Sequence, residues 1–407
     1  MTAGLYIHIP FCPQVCGYCD FYKVAHRGSA QVSSYLDGLK KEIFLYSDEP
    51  ATRSLTFETL YFGGGTPSLL KAAELEEIIR LIFEKFEFLT APEITVEADP
   101  GTVDLDKLRA FRTAGVNRLS LGIQSFHDEE LKFLDRTHTA EEAISTLEMA
   151  RSAGFDNISI DLIFGLPDQT LLKWEANLQT AIELSPQHIS PYSLTFEDGT
   201  PLMVKLRKGL VQKSPEDRQR KMYLHTIDFL SANGFDHYEV SNFAKPGRHS
   251  QHNLKYWNGN PYIGLGTSAH SFIGKRRFWN VSHLKKYRDA LAENRFPIAG
   301  EENLLPADLV LEKIYLSLRQ RTGLHLKDLE AEYGFDFFER YFSALTKFFD
   351  GDFQDSRFIS ELRNGDRALE SHWVEFEAGS LRLTKEGFAM CDAICAEFVP
   401  PPVLGGG

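Results

Sequence analysis

Six short β-type runs alternate with amphipathic helical segments between residue 5 and about residue 195. The first run, LYIHIPF, and the second, FETLYFGGG, each precede a segment whose apolar residues recur every three or four positions. Repeated strand–helix units predict a parallel sheet with right-handed crossovers. No dinucleotide-binding fingerprint follows the first strand, so the pattern favours an α/β fold of the open (β/α)6 partial TIM barrel type over a Rossmann sheet.

The carboxyl ends of these strands carry the residues suited to chemistry. In both architectures, ligands bind at the carboxyl ends of parallel strands. Polar or glycine-rich stretches follow the apolar runs there, namely the cysteine loop, GGGTP, VEADP, GIQSF and DLIFGLP. We therefore expect the functional site at that rim of the sheet.

The rest of the chain has a different composition and periodicity. Residues 1–235 form the predicted barrel, whereas a Gly-, Asn- and aromatic-rich connecting segment over 236–298 fits neither the helical nor the strand period. Helical patterns and a short strand pair over 299–400 predict a small C-terminal helical or winged-helix-like domain. We expect the tail at 401–407 to be disordered.

Composition limits the partners of the chain. Its 57 acidic and 44 basic residues give a net charge of −13, which disfavours nucleic acid because basic side chains must neutralise phosphates. No apolar run approaches the roughly 20 residues that span a bilayer. We predict a cytoplasmic protein, with peripheral membrane association if its clients are membrane enzymes. Cys391 and Cys395, four residues apart, are predicted to pack as small buried hydrophobes on one helix face.

Three of the five cysteines crowd into one loop near the start of the chain. Cys12, Cys16 and Cys19 have the spacing C-x3-C-x2-C in a segment that contains proline and glycine and is not a regular helix. Three thiolates can hold three corners of a [4Fe–4S] cluster and leave the fourth iron open. From spacing alone, a zinc site completed by His8 or His26 remains an alternative, as do purely structural thiols.

The cysteine loop and the motifs beyond it resemble a known family. C-x3-C-x2-C with Tyr18 before its last cysteine is similar to the signature of the radical S-adenosylmethionine (SAM) superfamily. LYIHIPFC, YFGGGTPS, VEADP, LGIQSF, DLIFGLP and HNLKYWNG resemble, in order, motifs of the HemN/HemW group of that superfamily, over essentially the whole chain. The resemblance implies a [4Fe–4S] cluster on the three cysteines and SAM on the open iron.

A SAM-binding rim is expected from the same motifs. Glycines at the end of the second strand let backbone groups approach a ligand, and strand-end carboxylates suit ribose hydroxyls or an ammonium group. By resemblance, Arg136 would face the SAM carboxylate. Alternatives are a solvated helix-end charge for Arg136 and a packed core histidine for His8. The predicted SAM-binding residues are Tyr6, Tyr18, Gly64, Gly65, Thr66, Glu97, Gln124, Arg136 and Asp161.

Two functions of different class are found in this group. One is the oxygen-independent coproporphyrinogen III oxidase or dehydrogenase, which decarboxylates two propionates by radical chemistry. The other is a haem chaperone that delivers haem to clients such as respiratory enzymes. The enzyme's loop continues to a fourth cysteine where this chain has Phe21, and the enzyme carries a long N-terminal extension that we expect to be missing here. Both differences favour the chaperone.

The HNLKYW run bears on the same choice. It resembles the H-N-x-x-Y-W motif of the chaperone branch, in which His252 could ligate haem iron and Tyr256 and Trp257 could supply flat apolar surface. From the residues alone, a structural turn between domains is the better interpretation. His249 and His270 are alternative haem ligands.

The expected ligands and partners follow from the chaperone hypothesis. The chain would bind the cluster, SAM and, as cargo, haem, and would pass haem to client proteins, some of them membrane-bound. It would need an electron donor if SAM is cleaved. A radical enzyme with another substrate stays open, because the core motifs specify only the cofactors.

Overall fold

The computed structural model describes residues 2–351 and 353–399, and the predicted disordered tail at 401–407 lies outside them. The chain divides into two compact units. The larger unit runs to Asp236 and includes Ser241–Tyr256 and Asn260–Asn303. The smaller unit consists of His237–Val240, Trp257–Gly259 and the chain from Leu304 onward.

The part of the chain up to Asn303 contains most of the strands. They are β1 (Ala3–Ile9), β2 (Phe11–Cys12), β3 (Val24–Ala25), β4 (Phe57–Gly64), β5 (Phe88–Ala98), β6 (Arg118–Gln124), β7 (Ile158–Phe164), β8 (His188–Ser193), β9 (Asp236–Glu239), β10 (Asn242–Ala244), β11 (Tyr262–Leu265), β12 (His270–Ile273), β13 (Arg276–Asn280) and β14 (Ile298–Asn303). The helices of the same part are α1 (Ser29–Asp48), α2 (Pro50–Arg53), α3 (Ala72–Lys85), α4 (Leu105–Thr113), α5 (Asp128–Phe133), α6 (Ala140–Ser152), α7 (Leu171–Glu183), α8 (Pro201–Arg207), α9 (Glu216–Ala232), α10 (Gln251–Trp257) and α11 (Leu284–Ala292), with a 3₁₀ turn at Pro67–Leu69.

One sheet organises the larger unit, in the strand order β14-β13-β12-β11-β1-β4-β5-β6-β7-β8-β10. The strands from β1 through β4, β5, β6 and β7 to β8 pair in parallel, with helices between them along the chain. The two ends of this order do not meet, so the sheet stays open. The predicted α/β fold with an open (β/α)6 barrel is therefore confirmed.

The sheet continues past β1 in a way that periodicity did not reveal. Strand β11 pairs in parallel with β1, and β12, β13 and β14 follow as antiparallel neighbours. Strand β11 is only four residues long, and a Cβ at its Gly264 would lie 2.2 Å from the carbonyl oxygen of His270. A strand this short, built on a glycine for close backbone approach, carries too few side chains to show a period of two.

Alternation along the parallel strands separates an apolar outer face from a polar interior. Leu5, Ile7 and Ile9 of β1 belong to the core between sheet and helices, whereas Tyr6 and His8 point to the opposite face. Pairing in register extends that inner face across the sheet. Its members include Tyr61, Thr95, Arg118, Ser120, Ser159 and His188.

The smaller unit joins helices to a short antiparallel sheet. Its further elements are α12 (Pro306–Leu318), β15 (Leu324–His325), α13 (Leu326–Tyr333), α14 (Phe337–Arg340), α15 (Phe342–Phe348), α16 (Ser356–Asn364), β16 (Leu369–Glu370), β17 (Val374–Glu377), β18 (Ser380–Leu383), α17 (Lys385–Phe388) and α18 (Cys391–Glu397). The strand order is β15-β18-β17-β16. Helices followed by a strand pair that leads into a helix match the predicted helical or winged-helix-like domain.

Membrane-spanning helices were not expected from the sequence. Within residues 2–351 and 353–399, no helix combines the length and the apolar character that crossing a bilayer requires.

Candidate functional site

The cysteine loop leaves the carboxyl end of β1 through the two-residue strand β2. Its first cysteine is buried and the other two are half-buried. At the middle of the loop, the Gly17 N–H donates to Asp135 Oδ2 at 3.2 Å, and the Gly17 carbonyl accepts from the Leu202 N–H at 2.8 Å. Two segments distant in sequence therefore fix the loop at the rim.

The three thiols lie where ionisation is unfavourable. Burial raises the pKa of Cys12 to about 11, and it is also the largest cause of the raised pKa values of Cys16 and Cys19. The charges of the other thiols raise the pKa of Cys12 further. Among the described residues, no group of three or more His, Cys, Asp or Glu side chains is arranged to hold a metal ion. The donor set still suits iron, because cationic iron would favour the thiolates that burial and mutual repulsion disfavour.

Arg136 lies against this loop as part of an ion pair. Its side chain is 8% exposed, and its Nη2 donates to Asp99 Oδ1 and, at 2.9 Å, to the Gly122 carbonyl. Its Nη1 lies 3.8 Å from Cys16 Sγ, while its buried Nε has no hydrogen-bond partner. Arg136 is therefore not a solvated helix-end charge, and it retains one unpaired donor suited to an anionic ligand.

Asp99 is a rim residue that the sequence analysis did not single out. It follows the last residue of β5 and accepts a hydrogen bond from Thr66 Oγ1 at 3.1 Å as well as the one from Arg136. Asp99 thus connects the turn after β4 to the guanidinium beside the cysteine loop. Asp99 belongs to the VEADP motif, but its role depends on Thr66 and Arg136, which approach it only in the folded chain.

The glycine turn brings the end of β4 against β1. Gly64 has φ 113°, and a Cβ there would lie 2.5 Å from the His8 ring. The Gly65 N–H donates to the Ile9 carbonyl at 2.8 Å. The turn is therefore held beside the start of the cysteine loop, with backbone atoms where larger residues would fill the space.

Glu97 and Asp161 place carboxyl groups on the inner face of the open barrel. Glu97 accepts from the Tyr61 hydroxyl at 2.8 Å and from the Gly64 N–H at 3.1 Å, and Asp161 lies 3.4 Å from the Ser120 hydroxyl. Desolvation raises the pKa of Glu97 to about 7 and that of Asp161 to about 6.

The carboxyl groups of Glu97, Asp99 and Asp161 are close enough to interact. The charges of Asp161 and Asp99 both raise the pKa of Glu97, and the charge of Asp99 raises that of Asp161. Gln124 ends the neighbouring strand β6 in a left-handed conformation, with φ 69°. Glu97 and Gln124 lie at strand ends as predicted, whereas Asp161 lies in the middle of β7, because the apolar run after it continues the strand to Phe164.

Tyr6 and His8 follow one another along the inner face of β1. His8 Nδ1 lies 3.1 Å from the Tyr6 hydroxyl, and its Nε2 lies 2.9 Å from the Tyr22 carbonyl oxygen. Burial lowers the pKa of His8 to about 4. Both ring nitrogens are engaged, so His8 ties β1 to the far end of the cysteine loop and offers no free nitrogen to zinc. Tyr18 packs elsewhere, against an apolar cluster made of Leu134, Ile163, Leu166, Leu194 and Leu202.

His252 lies inside the barrel, near the beginning of α10. Its Nδ1 lies 2.7 Å from Thr59 Oγ1, and its Nε2 lies 2.9 Å from the Tyr256 hydroxyl. Its ring stacks on that of Tyr61, with centroids 4.9 Å apart, and burial lowers its pKa to about 3. Both nitrogens are engaged, so ligation of haem iron by His252 would require these hydrogen bonds to break.

The other haem candidates have different surroundings. Trp257 belongs to the smaller unit and is half-buried. His249 Nε2 lies 3.7 Å from the Asp236 carboxylate. His270 is exposed on β12, and its ring stacks on Trp279 of β13 with centroids 5.8 Å apart. Of the three candidate histidines, His270 presents an imidazole at the surface together with a flat aromatic neighbour.

Comparison with known proteins first identifies the class. The sequence profile of the Radical SAM superfamily matches residues 6–181. The solved structure of coproporphyrinogen III oxidase (HemN) from Escherichia coli, a radical SAM enzyme, is 26% identical with a TM-score of 0.79, covering 98% of this chain and 90% of that chain. The fold is that of a radical SAM protein, and membership of this superfamily implies a [4Fe–4S] cluster and SAM.

Sequence relatives that carry the name heme chaperone HemW narrow the class further. The protein from Lactococcus lactis is 36% identical over 84% of this chain and 88% of its own length. Those from Bacillus subtilis and Mycobacterium tuberculosis H37Rv are 38% and 36% identical over 81% of this chain, and over 86% and 84% of their own lengths. The chain belongs to the HemW family, which confirms the resemblance inferred from its motifs.

Proposed function

We propose that this chain is a haem chaperone that carries a [4Fe–4S] cluster and SAM and passes haem to client proteins. The observation that carries the proposal is the similarity to proteins named heme chaperone HemW along more than four-fifths of the chain. When bound, the cluster supplies an iron with an open coordination position for SAM. The remaining contributions come from the residues of this chain.

Cys12, Cys16 and Cys19 would ligate the cluster through their thiolates. Binding of iron would release their protons, because the neutral thiols are favoured by burial in its absence. Arg136, 3.8 Å from Cys16 Sγ, would donate to the sulfur and stabilise the added negative charge. Asp99 would keep the guanidinium in position.

The rim around the glycine turn would hold SAM. Backbone carbonyls of the half-buried Gly64 and Gly65 would accept from its amino group, and the unpaired Arg136 Nε suits its carboxylate. Glu97 and Asp161 suit ribose hydroxyls, since each carboxyl retains an acceptor for a further donor. The residues proposed for SAM are Tyr6, Tyr18, Gly64, Gly65, Thr66, Glu97, Gln124, Arg136 and Asp161.

Haem requires an imidazole that can reach iron and an apolar surface that can face the porphyrin. His270 offers an imidazole at the surface with the Trp279 ring stacked beside it, whereas His252 and Tyr256 are hydrogen-bonded to each other inside the barrel. We therefore place His270 ahead of His252 as the axial ligand. Trp257 and Tyr256 remain candidates for contact with the porphyrin plane.

Haem titration of the anaerobically reconstituted protein tests this assignment. We expect the Soret band of bound haem in the wild type and in His252→Ala, and its loss or a shift in His270→Ala. His249→Ala serves as a matched control at the third candidate histidine. An unchanged Soret band in His270→Ala, with loss in His252→Ala, would reverse the assignment.

The coproporphyrinogen III oxidase reaction is the second candidate, and the structural similarity to HemN, with a TM-score of 0.79, is compatible with it. At the position of a fourth loop cysteine in that enzyme, this chain has Phe21, which is 67% exposed. The deciding assay incubates the protein with coproporphyrinogen III, SAM and a reductant, and in parallel with haem and an apo-acceptor. Formation of protoporphyrinogen without stable haem binding would establish the enzyme and refute the chaperone.

The location and the partners of the protein follow from the same function. We propose a cytoplasmic protein whose clients include haem enzymes of the respiratory chain, some of them membrane-bound. An electron donor is needed if SAM is cleaved. Nucleic acid is not proposed as a partner, because the net charge of −13 opposes phosphate binding.

A further inference from the structure

Two further cysteines lie together in the smaller unit. Cys391 and Cys395 are on α18, and their Sγ atoms are 3.9 Å apart. Both residues are buried, with exposed fractions of 5% and 2%. The sequence predicted that they share a helix face and pack as small hydrophobes. Their packing agrees with this, but the environment of the sulfurs is polar on one side.

The polar neighbour is the guanidinium of Arg319, the residue that directly follows α12. Its Nη1 donates to Cys395 Sγ at 3.5 Å and to the Tyr315 carbonyl at 2.9 Å. Its Nη2 forms an ion pair with Asp392, and its guanidinium lies 3.3 Å from the centroid of the Tyr315 ring. The Arg319 side chain is 9% exposed. A fixed cation therefore faces one member of a pair of neighbouring thiols.

We propose that Cys391 and Cys395 form a reversible dithiol–disulfide pair that is oxidised by a small peroxide, with Cys395 as the attacking thiolate. The site is independent of the cluster loop and of the proposed haem function. Its chemistry is that of a redox centre. The guanidinium favours formation of the thiolate, and the second thiol can resolve the sulfenic acid that the thiolate forms.

The reaction balances with hydrogen peroxide as the oxidant. The Cys395 thiolate attacks one peroxide oxygen, so that an S–O bond forms, the O–O bond breaks and hydroxide leaves. Cys391 then loses its proton and its sulfur attacks the Cys395 sulfenic acid, forming the S–S bond and releasing water. Two thiols lose two electrons and peroxide accepts them, giving one disulfide and two waters in total.

The bond requires the first turn of α18 to open. Residues four apart in an α-helix have Cβ atoms about 5–6 Å apart, whereas a disulfide holds them about 3.5–4.5 Å apart. Cys391 is the first residue of α18, so opening of this terminal turn would let the sulfurs approach from 3.9 Å and would admit peroxide to the buried pair.

The roles of the two thiols differ through the contact of Cys395 with Arg319. Arg319 Nη1 donates to Cys395 Sγ at 3.5 Å, so the guanidinium stabilises the Cys395 thiolate. The hydrogen bond between the two thiols and the charge of Arg319 lower the pKa of Cys395 against the effect of burial. Cys395 is therefore the thiol that ionises first, and Cys391 is the resolving partner.

The test uses the full-length protein with its cluster reconstituted. After peroxide treatment, free thiols are alkylated with iodoacetamide and the protein is digested with trypsin. Cleavage after Lys385 gives a peptide that contains Cys391 and Cys395 and no other cysteine. We expect the oxidised peptide to carry no alkyl group and to be two hydrogens lighter than its dithiol form. Reduction with dithiothreitol before alkylation should restore both alkyl groups. A peptide that stays doubly alkylated, or that reaches sulfinic acid without a disulfide, would overturn the proposal.

Single variants separate the roles of the thiols. In Cys391→Ser, Cys395 should stop at the sulfenic acid and be labelled by dimedone. In Cys395→Ser, Cys391 should remain unlabelled over the same time. Equal labelling of the two variants, or the reverse pattern, would overturn the assignment of Cys395 as the attacking thiolate.

The guanidinium is tested by the rate of oxidation. Arg319→Met should slow disulfide formation about tenfold, the effect of one pKa unit on the thiolate fraction, whereas Arg319→Lys should retain most of the rate. Arg340→Met removes another guanidinium of the same unit, one that lies over the Phe335 ring, and should leave the rate unchanged. A rate in Arg319→Met equal to that of Arg340→Met would show that the cation does not activate the thiol.

Oxidised glutathione distinguishes peroxide oxidation from thiol–disulfide exchange. Because both sulfurs are buried, the bulky disulfide should react at least about tenfold more slowly than peroxide at equal concentration. Equal rates would contradict a peroxide-specific route.

Discussion

Arg136 and Asp99 form an ion pair that links the segment after α5 to the end of β5, with the Arg136 side chain only 8% exposed. The same guanidinium lies 3.8 Å from Cys16 Sγ, and the same carboxylate accepts from Thr66. One pair therefore connects the cysteine loop, the glycine turn and the carboxyl-rich rim. Removing either partner should affect all three.

Asp99→Asn should lower the free energy of unfolding by about 3 kcal/mol, because it leaves the buried guanidinium without its counter-charge. It should also weaken SAM binding at least about tenfold, since Arg136 would lose its orientation. Urea denaturation and equilibrium dialysis with labelled SAM measure the two effects. Asp48→Asn, in an exposed pair with Arg53, should change stability by less than about 1 kcal/mol. Equal effects of the two substitutions would contradict the role of Asp99.

Cys12→Ser, Cys16→Ser and Cys19→Ser should each abolish the brown absorbance of the reconstituted cluster. A serine hydroxyl is a poor substitute for thiolate, and three ligands leave none to spare. Ultraviolet–visible spectra and iron analysis after anaerobic reconstitution provide the measurement. Cys391→Ser should retain the full iron content, and loss of iron in that control would show that the ligands are misplaced.

Glu97 should make the stability of the protein depend on pH. Desolvation raises its pKa to about 7 in the folded protein, so the folded carboxyl binds its proton more tightly than the unfolded one. Its contribution to stability is fully present below the unfolded pKa of about 4.3 and is lost as pH rises through the folded pKa. Glu97→Gln keeps an acceptor for Tyr61 but cannot titrate.

The free energy of unfolding of Glu97→Gln should therefore fall less than that of the wild type between about pH 4.5 and pH 8, by about 3 kcal/mol. Urea denaturation across that range measures the difference. Glu84→Gln, at an exposed helical pair with Arg80, should give a curve parallel to the wild type. Parallel curves for Glu97→Gln would contradict the prediction.

Gly64→Ala should destabilise the protein by at least about 2 kcal/mol and reduce cluster incorporation. The alanine would have to adopt φ 113°, and its Cβ would lie 2.5 Å from the His8 ring. Backbone strain and the steric clash would both lower the free energy of unfolding. Gly101→Ala is the matched control, because Gly101 has φ 84° with no atom within 4 Å of the added Cβ. It should cost about 1 kcal/mol. Comparable losses in the two variants would show that the contact with His8 is unimportant.

The main fold followed from local patterns. Alternation of Leu5, Ile7 and Ile9 with Tyr6 and His8 already separates a core face from an inner face, because successive strand residues point in opposite directions. The same reasoning correctly placed Glu97 at the end of its strand, but it was wrong for Asp161, which lies in the middle of β7 on the inner face. Strand β11 escaped it, since its four residues are too few for a period and its pairing with β1 joins segments far apart in sequence.

The sequence predicted many residues of the candidate site but few of the contacts between their side chains. Arg136 was expected at the rim, but its partner Asp99 could be recognised only after β5 and the segment after α5 met in space. His252 was a candidate haem ligand from its motif, yet the fold surrounds it with Thr59, Tyr61 and Tyr256 and engages both ring nitrogens. Such partners depend on contacts that no local pattern encodes.

The sequence by itself determined the class of fold, the three-cysteine loop and the HemW family, because periodicity and motif spacing are properties of neighbouring residues. Only the tertiary structure decided which charges are paired and which thiols face a cation. Arg136 with Asp99, and Arg319 with Cys395, each join groups tens of residues apart or more. Their chemistry arises from burial and proximity, which exist only once the chain has folded.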